Sequence, residues 1–123
     1  MVILDSCILI EIQRGNPTII NKVYEFEQAD LHITPVIVAE FYRGARSKQE
    51  FLQCQKLVSK FTILSLNHNV TLVFDDLFMK YSLSHRPAVP DMLIAAAAIF
   101  YNASVYTLNT KDFLFIEGLE LLS

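Results

Sequence analysis

Apolar residues follow two rhythms along this chain: short unbroken runs, and windows in which they recur every three to four positions. "MVILD" opens with a run too compact for a helix and predicts a buried strand ending at Asp5. Ser6 to Arg14 predict a short helix, stopped by the turn signal Gly15-Asn16-Pro17. Pro17 suits the first turn of a second helix that carries Ile19, Ile20, Val23, Tyr24 and Phe26. "LHIT" (31–34) predicts a second strand. Thr34-Pro35 then form an N-cap and first helical position, opening a helix through Tyr42 that Gly44 can end. "SKQE" (47–50) is a capping box, Ser47 and Glu50 satisfying each other's end groups, before a helix to about Lys60.

"FTILSL" (61–66) predicts a third strand, and Val70, Val73, Phe74, Leu77 and Tyr81 repeat at helical spacing. A helix near Pro90, a strand around Val105-Tyr106 and a last strand "LELL" (119–122) complete the pattern. Helices keep intervening between strands, which dictates parallel pairing. The fold class is α/β: a three-layer sandwich of four to five mostly parallel strands, helices on both faces, in one domain over residues 1–123.

Composition narrows the function. Hydrophobic residues make up 53% of 123 and the mean hydropathy is +0.37, which excludes disorder. So large an apolar share in a small globule implies a surface that meets a partner, first of all a second copy. A net charge of −3 excludes nucleic-acid binding by charge alone, but not an enzyme that holds a polyanion through metal ions. Cys7 and Cys54 lack metal-site spacing and read as buried thiols of a reducing cytoplasm. The N-terminus has no basic patch, so no signal peptide is expected, and polar residues from Asn102 to Thr110 break a membrane reading of 92–110. His32, His68 and His85 have no spacing for zinc or a triad, and three glycines make no phosphate loop. Asp75, Asp76 and Lys80 read as a solvated face with an Asp76–Lys80 pair, and Glu25, Glu27 and Asp30 as surface.

Four acids do not fit that background. Ligands of an open parallel sheet bind beyond the carboxyl ends of its strands. Asp5 ends the first strand, Glu40 interrupts the apolar run "PVIVAEFY", Asp91 starts a helix, and Asp112 closes the "TLNTKDF" loop that also holds Asn109. Each has an ordinary explanation: a helix cap for Asp5 and Asp91, an exposed face for Glu40, solvation for Asp112. Together they aim at one rim, where buried like charges persist only if a cation neutralises them. All-oxygen donors select Mg²⁺ or Mn²⁺, which can activate water for in-line displacement at phosphorus.

"VILDSCILIE", "TPVIVAEFYRGA", "VPDMLIAAAAIF" and "VYTLNTKDF" resemble, in order and spacing, the motif blocks of PIN-domain ribonucleases, above all VapC-like toxins of type II toxin–antitoxin systems. The resemblance runs from Val2 to Leu122. It implies a Rossmann-like sandwich, metal-dependent endonucleolytic cleavage of RNA, a homodimer and a cognate antitoxin. It places the family's acids on Asp5, Glu40 and Asp91, with the fourth at Asp112, and its small hydroxyl residue and opening threonine on Ser6 and Thr107. Some members carry an acid where this chain has Asn109, so the fourth ligand is either Asp112 or an Asn109 contact through water. Cys7 stands where a polar residue is common.

The resulting expectation is an Mg²⁺- or Mn²⁺-dependent endoribonuclease. Asp5, Glu40 and Asp91 hold the metal directly or through water, Asp112 positions a second ion or the attacking water, and Ser6 and Asn109 orient ligands or the phosphate. Arg43, Arg14 and Lys111 are candidate phosphate contacts. A phosphoacceptor switch would need adjacent acids after the first strand and an Asp in "FTILSLNHN", and has neither. A non-catalytic partner-binding module stays open. Ile8, Leu9, Ile12, Val23, Phe26, Phe51 and Leu57 are candidates for an antitoxin groove.

Overall fold

Five short strands make the sheet: β1 (Val2–Leu4), β2 (Leu31–Ile33), β3 (Thr62–Ile63), β4 (Ser104–Tyr106) and β5 (Glu120–Leu122). A computed structural model describes all residues, 1–123. Every pairing is parallel, in the order β3-β2-β1-β4-β5, with Ile3 opposite both His32 and Val105. β1 and β4 are fully flanked, and their apolar residues Ile3, Leu4, Val105 and Tyr106 are buried accordingly.

Six helices supply the crossovers: α1 (Ser6–Gln13), α2 (Pro17–Tyr24), α3 (Pro35–Arg43), α4 (Lys48–Val58), α5 (His68–His85) and α6 (Val89–Tyr101). Local chemistry sets their starts. Asn16 caps α2 by accepting from Thr18 N at 3.1 Å, with Pro17 in the first position. Thr34 caps α3 through Ile37 N at 3.4 Å, and Asn67 caps α5 through Val70 N at 3.0 Å. α5 ends at Arg86, a non-glycine residue at φ 45°.

The direction of winding positions the site. From β1 the chain steps outward to β2 and β3, then returns across the sheet to place β4 on the other side of β1. Right-handed crossovers therefore put α1–α4 on one face and α5 and α6 on the other. The order reverses between β1 and β4, and a crevice opens at their carboxyl ends. Buried α6 residues, Met92 and Ile94 to Ala98, join the core with Ile8, Leu9, Ile37 and Phe41.

Some expectations change. The third strand shrinks from 61–66 to Thr62–Ile63, because an edge strand has one neighbour and its side chains are exposed here. The capping box is half formed: Ser47 Oγ accepts from Glu50 N at 3.1 Å, but Glu50 Oε2 reaches Arg46 N at 2.7 Å rather than Ser47 N. Lys80 pairs with Glu117 at 3.0 Å, not with Asp76. Ile8 and Leu9 are 0% exposed and belong to the core, so they cannot line a groove. His32 is buried, its Nδ1 3.0 Å from Asp30 O, and His85 stacks on Phe115 with ring centres 4.3 Å apart.

Candidate functional site

The crevice is built on Asp5. Its backbone N–H donates to Tyr106 O at 3.0 Å, extending the β1–β4 ladder by one residue, and its side chain caps α1 by accepting from Ser6 N at 2.8 Å. The second carboxylate oxygen, Oδ2, accepts from Thr107 Oγ1 at 2.8 Å. Asp5 is 6% exposed and Thr107 0%, so the carboxylate stays in the fold through these donors. Thr107 Oγ1 accepts in turn from Asn109 N at 3.0 Å. Cys7 Sγ accepts from Leu108 N at 3.4 Å and lies 3.6 Å from Thr107 Oγ1 and 3.8 Å from Asp5 Oδ2. Burial raises the Cys7 thiol above its ordinary 9.0, the Leu108 N–H opposing and the Asp5 charge adding, so a proton remains on sulfur at neutral pH.

Glu40 and Asp91 are held differently. Glu40 stands in the second turn of α3, between the buried Ile37 and Phe41. Burial raises its pKa first, and the charges of Asp5 and Asp91 add to it. A Ser6 hydroxyl contact and the Arg43 guanidinium pull the other way. Asp91 lies in the first turn of α6 but does not cap it: the cap is Ala88, which offers no side-chain bond. A first-turn acid normally gains from the helix dipole. Here burial, then the charges of Asp112 and Asp5, outweigh that gain and push Asp91 up to about 6. Asp112 ends a 3-10 turn, Thr110–Asp112, that is anchored by Asp112 N donating to Asn109 O at 3.1 Å.

Acids from four separate segments therefore feel one another at a single rim, within the about 8–10 Å over which charges act in salt solution. No three His, Cys, Asp or Glu side chains are close enough to hold one ion between them. Like-charged carboxylates repel; Asp5 is pinned by the Ser6 N–H and the Thr107 hydroxyl, Glu40 meets only the Ser6 hydroxyl and the Arg43 charge, and Asp91 has no donor. The donor set is all oxygen, the chemistry of a hard divalent cation.

The other expected residues divide. Ser6 opens α1 and touches Glu40, Arg43 stands one turn past Glu40, and Thr107 links the two central strands. Asn109 enters through its backbone N–H while its side chain is exposed. Lys111 is exposed in the 3-10 turn. Arg14 sits at the opposite end of α1 from Asp5, paired with Glu11 at 3.1 Å, away from the rim. Cys7 was the residue that sequence undervalued. The available signal was its position two residues after Asp5, in the turn where a side chain faces back to the strand end.

Comparison with known proteins assigns the chain to a family. Residues 2–117 match the PIN domain family. A ribonuclease VapC of Rickettsia bellii is 33% identical over 130 residues, spanning 98% of this chain and 94% of its own. VapBC2 from Rickettsia felis, bound to a DNA fragment from its promoter, superposes with a TM-score of 0.89 at 22% identity, covering 99% of this chain and 98% of the other. A toxin–antitoxin complex from Klebsiella pneumoniae superposes at 0.83 with 22% identity, covering 100% and 97%. At those identities the two structures speak for the fold. The curated relative and the matched span together carry the assignment, and the chain belongs to the PIN-domain family, in its VapC group.

Proposed function

We propose that this chain is a metal-dependent endoribonuclease, the toxin of a toxin–antitoxin pair, with its single PIN-like domain spanning residues 1–123. The observation that carries the reading is the convergence of Asp5, Glu40, Asp91 and Asp112 at the sheet's switch point, where burial and then mutual repulsion push Asp91 to about 6. The oxygen donors fit Mg²⁺ or Mn²⁺, an ion that keeps several waters, with Asp5, Glu40 and Asp91 holding it directly or through water and Asp112, or Asn109 through water, as the fourth. Such an ion, when bound, supplies charge neutralisation and Lewis-acid activation of water for in-line attack at phosphorus.

The protein's own part is positioning. Thr107 and the Ser6 N–H fix the Asp5 carboxylate, so its oxygens keep one direction. Asp91 accepts no protein hydrogen bond and Glu40 meets a single hydroxyl, that of Ser6, which leaves both oxygen pairs available to a cation. Asp112 lies at the outer edge, where it orients the attacking water or a second ion. Arg43, whose charge reaches Glu40, offers a backbone-phosphate contact beside the acids.

The partners follow. Leu72, Met79 and Leu83 form one exposed stripe along α5, at 49%, 86% and 92% exposure, and suit a homodimer. A mass measured at tens of micromolar in solution tests it. An apolar groove of about 360 Å³, lined by Ile12, Val23, Phe26 and Leu57 among others, suits an antitoxin segment. No helix is long and apolar enough to cross a membrane, and with Cys7 and Cys54 free we place the protein in the cytoplasm.

The test is RNA digestion by metal-stripped protein with Mg²⁺ or Mn²⁺ restored, beside Asp5→Asn and Asp91→Asn. Internal cleavage should return with the ion in the parent alone. Cleavage that survives chelation, or an Asp91→Asn variant as fast as the parent, overturns the reading; metal binding without cleavage leaves a partner-binding module.

A further inference from the structure

Two consecutive backbone amides leave β4 and end, by separate side-chain relays, on one oxygen. Asn109 N–H donates to Thr107 Oγ1 at 3.0 Å, and the Thr107 hydroxyl donates to Asp5 Oδ2 at 2.8 Å. Leu108 N–H donates to Cys7 Sγ at 3.4 Å, and the thiol lies 3.8 Å from the same Oδ2. Counting protons fixes the directions. The single Thr107 proton goes to Asp5, its lone pairs take Asn109 N–H, and the one proton on Cys7 faces Oδ2 or a remaining Thr107 lone pair at 3.6 Å. Sulfur's larger radius makes such distances ordinary for a thiol, which is a weak donor and a weak acceptor.

We propose that Cys7 is a positioning residue, acting through Leu108 N–H and Asp5 to hold the loop that carries Asn109 and Asp112 against the end of β1. Without it, Leu108 N–H has no protein partner, and the loop hangs from Asp5 by the Thr107 relay alone. Cys7 packs against the core while only partly buried, and packing alone does not account for its contacts with Leu108 N–H and Asp5. The inference rests on the reading that Asp5 and Asp112 serve one cation site, and groups that orient ligands from behind typically change metal affinity about 10–100-fold. The thiol relay is the weaker of the two, so the low end applies.

The experiment has a metal-free arm and a metal arm on parent, Cys7→Ala and Cys7→Ser. Amide exchange without metal should speed at Leu108 by about tenfold in Cys7→Ala, with melting temperature unchanged and Asn109 affected less. Calorimetric Mn²⁺ titration should weaken by about tenfold in Cys7→Ala. Cys7→Ser, whose hydroxyl both donates and accepts, should restore most of each. Parent-like exchange and Mn²⁺ affinity in Cys7→Ala would overturn the positioning role. So would a Cys7→Ser as defective as Cys7→Ala, since that would mean sulfur's bulk is what counts. A parent that binds no Mn²⁺ would sink the metal reading instead, and the exchange arm alone would then decide whether Cys7 holds the loop.

Discussion

Asp5 and Asp91 stand on the same rim and are held in opposite ways. Asp5 is the more buried, at 6% exposure, yet one oxygen takes Ser6 N–H and the other the Thr107 hydroxyl. Asp91 is less buried and receives no protein hydrogen bond. Its burial first, and then the like charges of Asp112 and Asp5, push it up to about 6. Depth of burial alone is therefore a poor guide to how firmly a carboxylate is held. Donors decide, because each bond to the charged form offsets part of the desolvation cost. One acid is a fixed reference point and the other is an unmet demand for positive charge.

The largest test of that contrast removes each charge in turn. Asp5→Asn and Asp91→Asn should both lower Mn²⁺-dependent RNA cleavage by at least about 100-fold, read as initial rates. Their stabilities should part company. Asp5→Asn disturbs the Thr107 and Ser6 bonds and should lose about 1–2 kcal/mol, whereas Asp91→Asn should gain about 1–2 kcal/mol at pH 7 after solvent screening. Urea melts that move both variants in the same direction would break the comparison.

Next comes Thr107→Val, which deletes the donor to Asp5 and the acceptor of Asn109 N–H. It should cost about 1–3 kcal/mol in urea melts and weaken Mn²⁺ binding by about 10–100-fold in calorimetric titration. The pH dependence is smaller. Asp91 binds its proton more tightly folded, at about 6, than at its ordinary 3.8. The folded state thus carries more protons between those values, and metal-free stability should rise by about 1–2 kcal/mol as pH falls through that window. Glu40, also raised, adds with the same sign. The difference between parent and Asp91→Asn melts isolates the effect, and added Mn²⁺ should abolish it. The smallest test is Arg86→Gly, which relieves φ 45° just before α6. It should gain about 0.5–1 kcal/mol in thermal melts and leave cleavage untouched; a changed rate would mean that backbone strain, not charge alone, sets Asp91.

What sequence showed was local chemistry. Thr34-Pro35 and Asn16-Pro17 start helices because cap and proline act within one turn. The buried run Val2–Leu4 and the convergence of four acids followed from crossover topology. Beyond that reach the reading lost its hold. "FTILSL" has strand composition over six residues, but pairing depends on neighbours, and an edge position keeps only two. Asp91 resembled a cap by its place after Pro90, while the chain enters α6 at Ala88. Cys7 meets Leu108 from 101 positions away, a contact that no spacing rule contains.

The pairing of β1 with β4 has a consequence for the order of manufacture. Asp5 leaves the ribosome before the hydroxyl that aims it, which follows 102 positions later. A growing chain that has not reached β4 holds three of the four acids but neither the strand that pairs with β1 on that side nor the hook that orients the first of them. Such a nascent fragment cannot assemble the rim, so a cell translating this message meets no competent nuclease until β4 and Thr107 have been made.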